Sequence, residues 1–411
     1  MNSAMLYALR DAAGVPSHPI VFLVLGVLTF ALHIAAVHVM LGGTALALVN
    51  AFSRDAMRRR LAAAMTTTAK IAVSVAVVLG VAPLLFVQVT YDPFWYTSNV
   101  LSAWWVVAFI VLLIAGYMAL YFFYGRNHDL ADARHPVRSG WSLLASLALF
   151  LLVGFIMHVL TNQMLSPDKW MQWYAPGGVI DPRGHSLHDY NVWRFGFFIA
   201  LAAPVTGAWL YAYRRYLAAG RQADAAYLQW VGTLAARLLN FGGIVALVFL
   251  GAWMASLPAG LSGFSTSPVV LLAVALLLLT VALPALLGQR LLQTSLGYAP
   301  FALGAVALIA VAALREVLRW SVLKGVHGYD VFTYPLHIDW YSNVLFFTTF
   351  ALIGGTTLAY FLSIAWKVGH TPQGQVYTPS PAIDRIGTAA LWLIGLWLVQ
   401  FFVVGFIVWA R

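Results

Sequence analysis

The chain has 411 residues and no cysteine. That absence excludes disulfides, thiolate zinc sites, iron–sulfur clusters and covalently attached c-type haem within this chain. Charge is almost as scarce. Only 9% of residues are charged and a single glutamate, Glu316, is present, against 62% hydrophobic residues and a mean hydropathy of +0.85. Such a composition cannot supply the polar surface of a water-soluble domain. The net charge of +10 comes from basic residues scattered between apolar stretches. They gather on no face, so nucleic acid is not an expected partner.

What is present is a series of long apolar runs. Runs of roughly 18 or more apolar residues read as transmembrane helices. They recur here over 19–52, 69–90, 101–124, 141–164, 192–213, 228–256, 268–288, 299–323, 342–366 and 383–410. The expected fold is all-α: a polytopic transmembrane helix bundle of about ten spans, with 1–411 forming one integral membrane domain. Many of the 16 Trp and 18 Tyr residues lie near span ends, where amphipathic rings anchor a helix at the interface. The first 18 residues carry no apolar core of the kind a secretory signal has, so no cleavable signal is expected.

Lysine and arginine in short loops set orientation. One set of loops carries Arg54, Arg58, Arg59, Arg60, Arg126, Arg134, Arg138, Arg214, Arg215, Arg221, Arg290, Lys367 and Arg385. The other set, with the termini, carries Arg10, Lys169, Arg183, Lys324 and Arg411. Both termini are therefore expected on the outer, periplasmic side of a bacterial cytoplasmic membrane. On that side three connections are long enough to build something: Tyr91–Val100, Ser166–Asn191 and Lys324–Tyr341. They contain His185, His188, His327, Asp330, His337 and Asp339. The acid and imidazole groups after 324 could relay protons outward, while His185 and His188 are more simply solvated loop positions.

Histidine inside an apolar span is costly unless it faces a partner, a cavity or a cofactor. His33 and His38 lie in the first span and His158 in the fourth. Imidazole is the usual protein ligand of haem iron. His33 and His158 are the best pair for a bis-histidine b-type haem, provided helices one and four are neighbours. His38 is turned about 140° from His33 on an ideal helix, so it does not serve the same iron from the same side. The plainer alternative is that these histidines bridge helices by hydrogen bonds. A second constellation is Arg315-Glu316-Val-Leu-Arg319. Three ionisable groups in one turn of an apolar helix imply buried pairing. They suit a quinone site, a clamp for haem propionates with arginine as fork donor, or a purely structural ion-pair network.

The end of the second span reads Gly80-Val-Ala-Pro-Leu-Leu-Phe-Val-Gln88-Val-Thr-Tyr-Asp-Pro-Phe-Trp95, followed by Tyr96-Thr-Ser-Asn. This segment resembles, without gaps, the second helix and following turn of the large subunit (subunit I) of cytochrome bd oxidase. The first helix resembles that family too: His33 falls where the family has a haem-ligating histidine, with Gly42 and Leu46 in step behind it. The likeness covers about the first 125 residues. It implies a bd-like four-helix bundle over 1–165 with a candidate haem site, followed by a divergent six-helix half over 166–411.

The departures are equally informative. Gln88 stands where the family has a functional carboxylate. The third span has no acidic residue between Ala103 and Tyr124, the fifth has no histidine and the seventh no methionine. The segment 257–267 is too short for the family's outer quinol loop. A bd-like scaffold is therefore expected without bd-type oxygen reduction. The expected function is a b-type haem electron-transfer subunit of a respiratory complex, acting between membrane quinol and an outer-face c-type cytochrome or other periplasmic redox subunit. Its cofactor would be non-covalent haem b, with quinone as substrate. His33, His158 and His38 are the candidate haem-site residues, and Arg315, Glu316 and Arg319 the candidate quinone or propionate residues. The alternatives are a haem-free membrane anchor for a periplasmic redox partner, a bd-type quinol oxidase subunit, and a transporter.

Overall fold

A computed structural model describes residues 3–220, 223–372 and 374–410. Arg221 and Arg411, which contribute to the charge asymmetry, lie outside these residues. The chain is 80% helical. Among the described residues there is no strand, only one isolated parallel bridge between Val15 and Leu336. Among the described residues ten helices are long and apolar enough to cross a membrane: α1 (Pro19–Ala51), α2 (Ala56–Thr90), α3 (Ala103–Arg126), α4 (Gly140–Gln163), α5 (Val192–Ala219), α6 (Ala225–Ala255), α7 (Pro268–Leu287), α8 (Ser295–Gly325), α9 (Trp340–Gly369) and α10 (Pro381–Trp409). The protein is a multi-pass helical membrane protein.

Local chemistry starts the helices where hydropathy alone would not. The second helix begins at Ala56, well ahead of the apolar run at 69. Asp55 is its N-cap and accepts from the amides of Met57 and Arg58, satisfying donors that a helix start leaves free. Hydropathy marks the membrane-crossing part; the cap marks the helix. Asn191 and Asp224 cap α5 and α6 in the same way. Helix α5 is broken at Leu201, between Val192–Ala200 and Ala202–Ala219. Pro204 lacks the N–H that would bond the Ala200 carbonyl, which is the cause of the break. A π-helical turn, Thr349–Gly354, interrupts α9.

Helix α1 is the centre of the bundle and packs against α2, α4, α5 and α8. One apolar core runs from Val39 on α1 to Leu318 on α8. A second core, built on Leu6, Tyr91, Phe94, Trp95, Trp170 and Tyr329, lies on the face that carries the N-terminus. Helices α9 and α10 pack mainly on each other, and no residue of their most apolar stretches is buried within the protein. The face with the N-terminus is called the N-terminal face below; the opposite one, rich in arginine, is the basic face.

Candidate functional site, a buried arginine cluster beside His33

Each intramembrane histidine has a defined partner. On α1, His33 Nδ1–H donates to the Ala76 carbonyl of α2 at 2.8 Å. Its ring lies flat on Gly80, where a Cβ would come within 2.8 Å of Cε1. Glycine is therefore what lets α1 and α2 approach at this level. His38 points instead to α5, and its Nε2–H donates to the Phe198 carbonyl at 2.7 Å. The Nδ1 atom of His38 is buried without a partner. On α4, His158 Nε2 accepts from the Asn191 amide at 3.0 Å and from Asn162 Nδ2 at 3.1 Å. The 140° expected between His33 and His38 is visible here as two different neighbouring helices.

The charged constellation of α8 sits on the same side of the bundle. Glu316 accepts from Arg319 at 3.0 Å and from the hydroxyl of Tyr91 at 2.7 Å. Arg315 lies 3.7 Å from the same carboxylate, and its guanidinium covers the ring of Phe30 at 3.6 Å. Phe30 in turn packs beside His33, ring centroids 6.3 Å apart, and edge-on to Phe198. A third arginine completes the group. Arg194, in the first turn of α5, is 7% exposed, donates to Asn162 Oδ1 and lies 5.8 Å from the ring of Trp253. It is within electrostatic reach of both Arg315 and Arg319.

His33, Phe30, Arg315, Glu316, Arg319, Tyr91, Arg194, Asn162 and His158 thus form one connected set, drawn from α1, α4, α5, α8 and the end of α2. Helix α1 does pack on α4, as pairing of the two histidines requires. The contacts that link His33 to His158 run through Phe30, Arg315, Arg194 and Asn162. By helix rise, His33 lies about 21 Å and His158 about 7.5 Å from the N-terminal-face ends of their helices. Asn162 organises the far end: it gives a hydrogen bond to His158 and receives one from Arg194.

The electrostatics are unbalanced. Arg315 and Arg319 share one buried carboxylate, Arg194 lies within electrostatic reach of both, and Arg315 Nε is buried without an acceptor. Asp189, on the loop before α5, adds a weaker and partly exposed negative field at Arg194. A buried arginine without an anion costs several kcal/mol, so the cluster carries an excess of buried positive charge. Sequence reasoning missed Arg194, Asn162, Phe30 and Tyr91. Arg194 did leave a signal: a cation in the first turn of an apolar helix opposes the helix dipole and therefore calls for another reason to be there.

The other flagged residues are engaged in structure. His188 stacks on Trp173, centroids 5.1 Å apart and 12° between planes, and burial holds its imidazole below the ordinary value. With His185 it borders a cavity of about 250 Å³ on the N-terminal face, where Asp181 is paired with Arg183. His327 bonds the Leu165 carbonyl, and its imidazole too is lowered by burial. Asp330 pairs with Lys324 at 2.7 Å, Asp339 caps α9, and the His337 amide bonds the Val15 carbonyl. No proton relay is assembled from these loop groups. Among the described residues no three His, Cys, Asp or Glu side chains come together as a metal site. No protein-family model, curated protein or solved structure matches the chain.

Proposed function

We propose that this chain is a membrane subunit of a bacterial respiratory complex, in the cytoplasmic membrane, that holds a non-covalent b-type haem. It would pass electrons between membrane quinol and a c-type cytochrome or other redox subunit at the N-terminal face, which the charge asymmetry assigns to the periplasm. One observation carries the reading: an imidazole with its Nδ1–H on a backbone carbonyl stands beside an excess of buried arginine. The first is the tautomer-fixing arrangement of a metal-ligating histidine. The second is what two propionates need. The likeness of residues 33–46 and 80–99 to the bd large subunit points the same way.

The residues present fit such a group. His33 Nε2 is the free donor atom, and the Ala76 carbonyl orients the ring. Arg194, Arg315 and Arg319 would hold the propionates, with the orphaned Arg315 Nε among the donors. Glu316, held by Arg319 and Tyr91, would offset only part of the repulsion between Arg315 and Arg319. Haem, when bound, supplies a one-electron carrier. Ligation by His158 Nε2 would require it to release the Asn191 amide, and His38 offers only Nδ1. Both are reasons to test His33 first.

A reduced-minus-oxidised absorption spectrum of the purified protein is the test, for wild type and His33→Ala. A sharp b-type α-band that disappears in the variant is expected. A wild type without haem, purified intact with its partners, would overturn the reading. The second reading, a haem-free anchor for a periplasmic redox partner, would then lead. It is favoured by the bonds that His38 and His158 already make to protein groups.

A further inference from the structure

At the basic face, α2 and α3 enclose a polar ladder that the haem site does not use. The hydroxyls of Tyr117 and Tyr121 converge on Ser74 Oγ at 3.1 and 3.2 Å. Their rings are stacked, with centroids 4.5 Å apart and 13° between planes. One turn before Ser74, Lys70 places its ammonium 3.7 Å over the ring of Tyr124. No carboxylate among the described residues forms an ion pair with Lys70. All five positions are half-buried, and the residues flanking them face outward: Ile71, Val75 and Val78 on α2, Ile114 and Met118 on α3 are 42–72% exposed. In a membrane that outward face is the lipid face.

The order of these groups along the membrane normal is specific. Tyr124 lies two residues from the end of α3, at the interface, and Lys70 lies level with it. Tyr121 is about 4.5 Å and Tyr117 about 10.5 Å deeper, at 1.5 Å per residue. Beyond them only apolar side chains follow. A cation outermost, hydroxyl donors next and hydrocarbon last is the mirror of a phospholipid: phosphate, ester oxygens, acyl chains. An aromatic belt accounts for one tyrosine at the interface. It does not account for hydroxyls clustered a further turn down, where unpaired polar groups are costly.

We propose that the outward face of α2 and α3 around this ladder is a binding site for an anionic phospholipid of the basic-face leaflet. Its phosphate lies on Lys70, its ester carbonyls accept from Tyr117, Tyr121 and Ser74, and its chains lie along Ile71, Val75, Val78 and Ile114. The zwitterionic lipid of equal chain length binds more weakly because its own ammonium offsets the attraction of Lys70. The site is independent of the haem reading and stands or falls without it.

Native mass spectrometry of the full chain, released from nanodiscs of phosphatidylcholine with phosphatidylglycerol, reads this directly. Wild type is expected to retain phosphatidylglycerol in preference to phosphatidylcholine. Lys70→Gln should lower that retention about fivefold, the effect of one cation near a membrane surface. Tyr117→Phe/Tyr121→Phe should weaken both lipids, while Arg237→Gln, a cation removed from another helix, should change neither. Equal retention of the two lipids by wild type would overturn the proposal. So would an equal loss in Arg237→Gln, which would mean diffuse charge, or displacement of the lipid by ubiquinone at equal concentration, which would mean a quinone site. Size-exclusion profiles identify any variant that fails to fold, and the Arg237→Gln and double-tyrosine arms then still decide.

Discussion

The two faces of the bundle use buried arginine in opposite ways. At the basic face, Arg59 is 3% exposed and donates to four backbone carbonyls, of Ala51, Leu130, Asp132 and His135, at 2.8–3.1 Å. Arg214 similarly bonds the carbonyls of Leu228 and Leu292. These guanidiniums tie loops to helix ends, and every such bond would be lost with the side chain. Toward the N-terminal face, Arg315 and Arg319 share a single glutamate, with Arg194 within electrostatic reach of both. A buried arginine is therefore not by itself a functional signal. What it faces decides: carbonyl oxygens mean a structural tie, whereas other arginines leave charge that the tie does not explain.

That contrast can be broken by substitution. The largest effect is expected from Glu316→Gln, which leaves Arg315 and Arg319 without their shared carboxylate. It should destabilise the protein by about 3–5 kcal/mol, read as a fall in thermal midpoint in detergent. Arg59→Ala should follow at about 2–3 kcal/mol, because it strands carbonyls that lose their donor. Arg315→Met, by contrast, should raise the thermal midpoint of protein purified without added ligand, since it relieves repulsion. A drop as large as that of Arg59→Ala would show that Arg315 is a structural tie and end the distinction between the faces. Gly80→Ala should cost about 1–3 kcal/mol by overpacking and should displace the His33 ring, changing any haem spectrum that His33 controls.

The smallest expected effect concerns Asp92, at the N-terminal face beyond the end of α2. Burial pushes its carboxyl up from 3.8 to about 6, against the backbone hydrogen bond from Asp11. The folded chain therefore binds this proton more tightly than the unfolded chain. Stability falls as pH rises from about 4 to about 6, and the full penalty stands above that window. Asp92→Asn should be more stable than wild type near neutrality, by on the order of 1 kcal/mol after allowance for partial exposure. The two should coincide below about pH 4. An unchanging difference across that range would rule out Asp92 as the titrating group.

Much of the site was legible in residue identity. His33, His38, His158, Arg315, Glu316 and Arg319 stand out because a polar or charged group in an apolar span must be paired. Their partners were not legible, because Ala76, Phe198 and Asn191 act through backbone atoms that every residue carries. Asn162 and Phe30 are ordinary members of their helices until the fold aligns them with Arg194 and Arg315. The loop acids and histidines after Lys324 offered the opposite lesson. Their sequence clustering suggested a relay, yet the fold engages most of them in caps, ion pairs and backbone bonds.

By itself the sequence determined the class of the protein: an all-helical membrane chain with about ten helices able to cross a bilayer, because apolar runs of that length have no other stable solution there. It also determined which few residues had to find partners. Only the tertiary structure decided what those partners are, that α1 stands at the centre, and that Arg194 of α5 comes within electrostatic reach of Arg315 and Arg319 of α8. Hydropathy is a sum over neighbours along the chain, whereas charge balance depends on distances between helices, which no local pattern encodes.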